Sequence, residues 1–413
     1  MNKGSFARAQ PIHLFFAVNY FAQGMIGVVY QPIAHLLKEG LGLSAGQSAA
    51  FLGWMTLPFL AKPLFGLATD LAPVGGLRRR PYLIAASGLA AAGWLILALQ
   101  PQWAYWPLLG LLIAANIGIV ACDVVCDGVM VEQGQARRLT GRYQSIQIGA
   151  LYASLVLTGV GGGWLASQFS VRWIFALAAL PTLAILMASR WIGEQPMVAP
   201  AAQGASGLGR LFRERTFWAL CLLIFLWSFS PFAGTAQFYY QSQVLDLSPT
   251  FIGLLSTAAG ICGVMGAGFY GRAIGRLCDT QTAVKLSVLL GAPVALLSLV
   301  HLGPVSSLLA TGLAGFAGVA FRLALMDLAS QSCPKYAEAT AFGLYMAVFI
   351  LAASASNTAG GWLYDWLSAR LLFLPSPAYG AIAVLGLIGA FSTLCCWWVL
   401  PWTAYGTMRR APK

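Results

Sequence analysis

Charge is scarce in this chain of 413 residues: Asp and Glu number 12, Lys and Arg 24, His three, and the four charged types together make up 9%. With 59% of residues hydrophobic and a mean hydropathy of +0.75, that scarcity excludes a soluble domain and fits a polytopic membrane protein. No G-x-x-x-x-G-K loop followed by Ser or Thr occurs, which argues against an ATP-driven pump. No activated nucleophile, metal-ligand cluster or cofactor motif occurs either, so the chain is not expected to be an enzyme, and no cofactor or metal is expected. GAGFYG at 266–271 matches a dinucleotide fingerprint in letters only. It follows no strand and lies in an apolar helical run, so nucleotide binding is not expected. The eight cysteines sit in or against apolar runs, apart from Cys278 in a basic loop. They form no secreted-type framework and read as reduced packing residues.

What is present is long apolar runs. A hydrocarbon core of ~30 Å takes ~20 apolar residues in a helix, and twelve spans are predicted: 12–37, 45–69, 81–99, 103–131, 141–166, 171–191, 215–242, 249–272, 282–301, 305–331, 338–364 and 376–400. The first is too long for a signal peptide and lacks a small-residue cleavage pattern, so it is expected to be retained. The net charge of +12 raises the possibility of a nucleic-acid partner, but 19 of the 24 Lys and Arg fall on one side of the predicted spans. The charge is therefore topological; both termini are expected in the cytoplasm, with the protein in the plasma (inner) membrane and no nucleic-acid partner. Trp397, Trp398 and Trp402 suit an interfacial belt.

Residues 197–209, rich in Ala, Gly, Ser, Pro and Gln, read as a flexible linker. They divide the chain into a six-span half at 1–195, a cytoplasmic linker at 196–212 and a second six-span half at 213–413. The halves echo each other: Tyr30 and Gln31 against Tyr240 and Gln241 at an offset of 210, and Asp127 against Asp327 at an offset of 200. An all-α membrane protein of twelve helices in two pseudo-symmetric halves resembles the major facilitator fold, whose substrate site lies between parallel halves near mid-bilayer. Clustered glycines, as at Gly159 to Gly163 and Gly312 to Gly318, suit close helix approach.

The stretch ACDVVCDGVMVE at 121–132 organises the functional reading. Asp123 and Asp127 lie four residues apart, on one helical face. A charge deep in a bilayer costs roughly 2.5 to 3.5 kcal/mol or more, so it needs a partner or a function. Two readings stand: structural acids bonded to helix ends or loop arginines, or cavity groups. With the span ending at 131, Asp127 is placed ~6 Å from the cytoplasmic end, where a gate ion pair would fit, and Asp123 ~12 Å in. Lys62, at similar depth, either snorkels to the cytoplasm or faces the cavity. Arg322, ~14 Å into the tenth span, is expected at the depth of Asp123 across the cavity, as a substrate anchor or a permanent ion pair. Asn19 with Gln23, and Gln237 with Gln241, each share a face; beside Tyr30, Tyr239, Tyr240 and Trp227 they suit a planar heteroaromatic ligand. Interhelical hydrogen bonding accounts for the same amides. Lys62 and Arg322 are two cations against three acids, Asp123, Asp127 and Asp327. One acid thus lacks a basic partner, and a proton can neutralise it, so proton coupling through these three is expected.

Between the second and third spans runs KPLFGLATDLAPVGGLRRRPY, 62–82. Gly66, Asp70 and the cluster Arg78, Arg79 and Arg80 make a stiff cytoplasmic gate whose charges can pair differently in two conformations; plain topological anchoring explains the arginines equally well.

That run and DVVCDGVMVE at 123–132 resemble the folate-biopterin transporter family of the major facilitator superfamily. Gln144 and Ser145, FYY at 238–240, LSPTFIG at 247–253, and Cys333, Pro334 and EATAF at 338–342 agree in family order. Cys126 and Gly128 depart from the pattern. The resemblance implies a secondary carrier that moves a folate or pterin-like anion by alternating access, with protons and the lipid bilayer as its other partners, acting as a monomer. Substrate-binding residues are then expected to be Arg322, Asp123, Lys62, Asn19, Gln23, Gln237 and Tyr240. A muropeptide or amino-sugar permease of a neighbouring family, and a membrane assembly factor on the same fold, are the alternatives.

Overall fold

In hydrocarbon every backbone N–H and C=O must be satisfied within its own segment, so long apolar runs become helices. The computed structural model describes residues 9–43, 45–194 and 201–403, and among these the only sheet-like feature is one antiparallel bridge between Val74 and Leu77. Ten helical segments among the described residues are long and apolar enough to cross a membrane, against the twelve spans predicted. The other two predicted spans fall on a helix of 29 residues, Thr140–Gln168, and a shorter apolar helix, Arg215–Ser228.

The chain divides into two compact units. Met1–Leu208 with Cys333–Leu344 forms the first, and Gly209–Ser332 with Tyr345–Lys413 the second. The first carries α1 (Ala9–Met25), α2 (Tyr30–His35), α3 (Ala45–Thr56), α4 (Lys62–Leu71), α5 (Arg80–Leu99), α6 (Tyr105–Arg137), α7 (Thr140–Gln168), α8 (Val171–Ala188) and most of α9 (Ala201–Arg213). Helix α5 packs on α6 and α8, and α1 on α7 and α8. Small residues set the spacing: a methyl group on Gly118 of α6 would overlap the backbone of Ala86 and Ala90 in α5, the close approach that glycine permits in membrane helices.

Two boundaries differ from expectation in ways that matter for the site. Helix α6 does not stop near 131 but runs 33 residues to Arg137, where Arg138 takes the left-handed conformation at φ 57° and ends it. Residues 201–213, expected to be a flexible linker, form α9, whose buried side carries Gly204, Gly207, Leu208 and Leu211; the rest of the predicted linker, 196–200, lies outside the described residues.

The second unit holds α10 (Arg215–Ser228), α11 (Thr235–Tyr239), α12 (Pro249–Phe269), α13 (Gly275–Leu277), α14 (Thr280–Ala295), α15 (Pro304–Gln331), most of α16 (Glu338–Arg370) and α17 (Pro377–Thr403). Its main packings are α12 on α15, α10 on α17, and α14 on both α15 and α17. The seventh predicted span is broken between α10 and α11. Pro231 cannot donate a helical hydrogen bond and Gly234 turns the chain at φ 74°. Side chains of α16 take up the freed backbone groups: Ser230 N–H donates to Ser356 Oγ (3.0 Å), and Thr235 N–H to Asn357 Oδ1 (2.8 Å). Such repair is how an interrupted helix survives at membrane depth.

Candidate functional site

Helix α6 carries three acids, and its pitch divides them. Asp123 and Asp127 are about 40° apart around the axis, whereas Glu132 is turned about 140° from Asp127. The first two enter a buried polar cluster in the first unit. Pro58 and Pro63 keep the second span from being one regular helix: a 3-10 turn at Leu57–Ala61 joins α3 to α4, which brings Lys62 to the head of α4. Its Nζ donates to Asp123 Oδ2 at 2.5 Å. The Tyr20 hydroxyl of α1 donates to Asp127 Oδ1, also at 2.5 Å. Lys62 is thus ion-paired with Asp123 within the buried cluster. Asp127 makes no ion pair among the described residues. The extra length of α6 puts it ~15 Å from the end of its helix, too deep for the gate ion pair expected of it. Next to it, Gln147 of α7 donates to Cys126 Sγ at 3.5 Å. In α1, Gln23 donates to Asn19 Oδ1 at 2.5 Å, as residues sharing a face should. Tyr20 carries no charge and lies in an apolar run, and sequence reasoning missed it; its place one residue from Asn19 was the available signal.

Glu132 goes to a second cluster, a clasp around Asp70 that is also in the first unit. Asp70 is fully buried. Its Oδ1 accepts from Nη2 of both Arg78 and Arg79 at 2.7 Å each, while Oδ2 accepts from the N–H (2.8 Å) and the hydroxyl (2.7 Å) of Thr340. Arg79 also donates to Glu132 (2.6 Å) and Thr69 (2.7 Å), and Arg78 to Glu338 (3.0 Å). Burial by itself lowers the pKa of Arg79, but Glu132, Asp70 and Glu338 around it raise it above the ordinary value, so the guanidinium stays charged.

Gly66 lets α4 approach the backbone of residues 339 and 340, where a Cβ would come within 2.7 Å. Gly128 leaves room for the Arg79 guanidinium, since a Cβ there would stand 2.8 Å from Cζ. Arg78 and Arg79 thus do more than anchor topology. Arg80 does not join the clasp: its side chain is exposed, and among the described residues its backbone N–H is what is engaged, by Glu194. Thr69, Glu132, Thr340 and Glu338 were missed by sequence reasoning. Their signal, polar residues inside DVVCDGVMVE, EATAF and, for Thr69, the run at 62–82, was present without any indication of which groups would meet.

In the second unit, Asp327 accepts from Tyr270 (3.1 Å), Thr280 (3.2 Å) and Gln331 (3.2 Å). The Arg322 guanidinium stands 4.9 Å over the Phe349 ring, and its buried Nε makes no hydrogen bond among the described residues. Gln237 and Gln241 converge, each amide nitrogen lying 3.4 Å from a ring nitrogen of His301. Tyr240 donates its hydroxyl to the His301 carbonyl at 3.0 Å. These two amides and this hydroxyl already have partners, which favours the reading that they hold helices together. An apolar groove of about 600 Å³ in the first unit, lined by Ala17, Phe21, Leu177 and Leu180 among others, has an apolar lining that includes no residue of either cluster.

The BT1 family profile matches residues 23–402. A folate-biopterin transporter of Synechocystis sp. is 30% identical over 91% of this chain and 78% of its own length. Probable folate-biopterin transporter 4 of Arabidopsis thaliana is 24% identical over 85% of this chain and 87% of its own. Among solved structures, the human organic anion transporter MFSD10 superposes with a TM-score of 0.70 at 15% identity, covering 95% of this chain and 99% of that one. The major facilitator proton:xylose symporter XylE superposes at 0.67 and 16% identity, covering 96% of each chain. At such identities the likeness establishes the fold alone, a major facilitator fold, while the profile and the 30% relative establish kinship: this multi-pass membrane transporter belongs to the BT1 family, the family of the folate-biopterin transporters.

Proposed function

We propose that the protein carries folate or pterin-like anions by alternating access, coupled to protons, across a plasma membrane with both termini in the cytoplasm. The observation that supports this most is the unequal pairing of Asp123 and Asp127. Asp123 pairs with Lys62 at 2.5 Å, whereas Asp127 accepts from the Tyr20 phenol and makes no ion pair among the described residues, Lys62 acting on it only through space. Asp127 is then the acid of this cluster that takes a proton from one side and releases it to the other, and Asp327, buried at the 200-residue offset, is the matching candidate in the second unit. Arg322, with its free Nε, is the cation offered to a substrate carboxylate, which a guanidinium holds through two parallel hydrogen bonds.

The clasp supplies the gate. Its three acids and two arginines hold residues 333–344 against the first unit, and opening the cytoplasmic side requires that this segment be released. Uptake of labelled folate into vesicles, driven by an inward proton gradient, tests the proposal. Native protein should respond to the gradient, and Asp127→Asn should lose that response while still exchanging folate across the membrane. Native uptake that ignores the gradient refutes the coupling, and counterflow with none of a panel of folates and pterins refutes the substrate class.

A further inference from the structure

The clasp depends on how the chain enters α5, and that entry is held by a residue so far without a role. Glu194 follows the sixth span, three residues after the 3-10 turn Ser189–Trp191. Its carboxylate accepts three consecutive backbone N–H groups: Oε1 from Arg78 (2.5 Å) and Arg79 (2.9 Å), and Oε2 from Arg80 (2.9 Å). These are donors at the beginning of a helix, which have no partner within the helix. The residue at the N-cap position of α5, Arg79, offers no capping side chain. Normally the capping oxygen comes from the helix's own first residues; here it comes from sequence more than 100 residues away, bearing a full negative charge that the helix dipole favours.

We propose that Glu194 is the positioning residue of the clasp, fixing the backbone of Arg78 and Arg79 so that both guanidinium groups reach Asp70 Oδ1. The chemistry supports this over general packing. Arg78 and Arg79 must converge on a single carboxylate oxygen from adjacent positions, which demands one particular backbone course at 78–80. Neither the Pro73 to Gly76 turn, with Gly75 and Gly76 at positive φ, nor the exposed Arg80 side chain imposes it. Because Glu194 follows directly on the sixth span, the clasp is tied to the end of α8 as well as to α4 and α6. Residues 333–344 then stay on the first unit only while the end of α8 stays in register with α5.

The native Cys333 thiol provides a reporter. Cys333 lies in the clasped segment and is fully buried, its carbonyl accepting from Gln135 at 2.9 Å. The full-length protein in vesicles is treated with a water-soluble maleimide, and alkylation is read at each cysteine by peptide mass spectrometry. Glu194→Ala removes all three acceptor contacts, and loss of a cap of this kind should speed alkylation of Cys333 by about fivefold to tenfold. Glu194→Gln keeps one acceptor oxygen and should fall between. Cys396, equally buried in the second unit, should not change.

Maximal uptake should fall in Glu194→Ala while the folate concentration for half-maximal uptake holds within about twofold, since no cavity residue is touched. Only this rate measurement rests on the transport reading: a faster Cys333 with unaltered uptake leaves Glu194 as the positioning residue and refutes the clasp as the gate. Unchanged Cys333 reactivity in Glu194→Ala overturns the positioning role. So does an equal rise at Cys333 and Cys396, which would show general loosening.

Discussion

Replacing Asp70 by Asn changes one atom at the centre of the clasp and nearly none of its volume. In the native protein Oδ1 receives two guanidinium groups and Oδ2 receives Thr340. An amide can keep one of those acceptor oxygens, but its NH2 must then face either the arginines or the Thr340 N–H, donor against donor. The arginines are not stranded, since Glu132 and Glu338 remain as counter-charges, so the cost of a wholly unpaired buried charge does not apply. What is lost is on the scale of one charged hydrogen-bond system, about 1.5 to 3 kcal/mol. That corresponds to roughly a tenfold to 150-fold shift towards the released state of residues 333–344. Asp70→Asn should therefore fold, expose Cys333 to maleimide at a rate raised towards that factor, and slow folate uptake with little change in ligand affinity. Arg80→Gln is the control, because the exposed Arg80 side chain takes no part in the clasp; it should match the native protein. Asp70→Asn with native uptake and native Cys333 reactivity would remove the loop from the mechanism.

Arg322→Lys should weaken folate binding by about 1.5 to 3 kcal/mol, the worth of a charged hydrogen bond, with little effect on an uncharged pterin; equal losses for both ligands would leave Arg322 as a structural cation over Phe349. His301 gives a pH dependence, because burial holds its imidazole below the ordinary value of 6.5. As pH falls through that value the unfolded chain binds the proton first, so the stability is fully present above it and is lost on acidification. Thermal unfolding of the purified protein at pH 7.5 and pH 5.5, conditions about one unit either side of the unperturbed value, should show a larger acid loss in the native protein than in His301→Gln, and parallel losses would refute the assignment.

The fold was legible because the periodic signal of a membrane helix is strong and local. A run of apolar residues long enough for the bilayer announces itself without knowledge of its neighbours. Where the prediction strayed, a local rule met a tertiary one. The break at Pro231 and Gly234 looks like a tolerable interruption inside an apolar run, and only the Ser356 and Asn357 side chains, more than 100 residues away, make a real gap there acceptable. The continuation of α6 past Val131 was hidden by composition. Glu132, Gln133 and Gln135 look like the start of a polar loop, yet Glu132 pairs with Arg79 and Gln135 with the Cys333 carbonyl, so the polar turns are part of the packed structure.

Distance along the chain explains why the site was only half legible. Asp123 with Asp127, and Asp70 beside its arginines, are short-range patterns, and the structure places each in a polar cluster. Their partners are not short-range: Lys62 is 61 positions from Asp123, Tyr20 is 107 from Asp127, and Thr340 is 270 from Asp70. Counting charges inside the membrane found that one acid lacked a cation but could not say which. Within the first unit Lys62 stands against Asp123, a placement that turns on backbone geometry: the 3-10 turn at Leu57–Ala61 brings Lys62 to the head of α4. A regular helix through 57–61 would turn about 500° over those five residues where a 3-10 turn makes about 600°. That difference of about 100° would carry Lys62 off its present face, leave Asp123 without its cation, and erase the distinction between the two acids on which the proposed proton site rests.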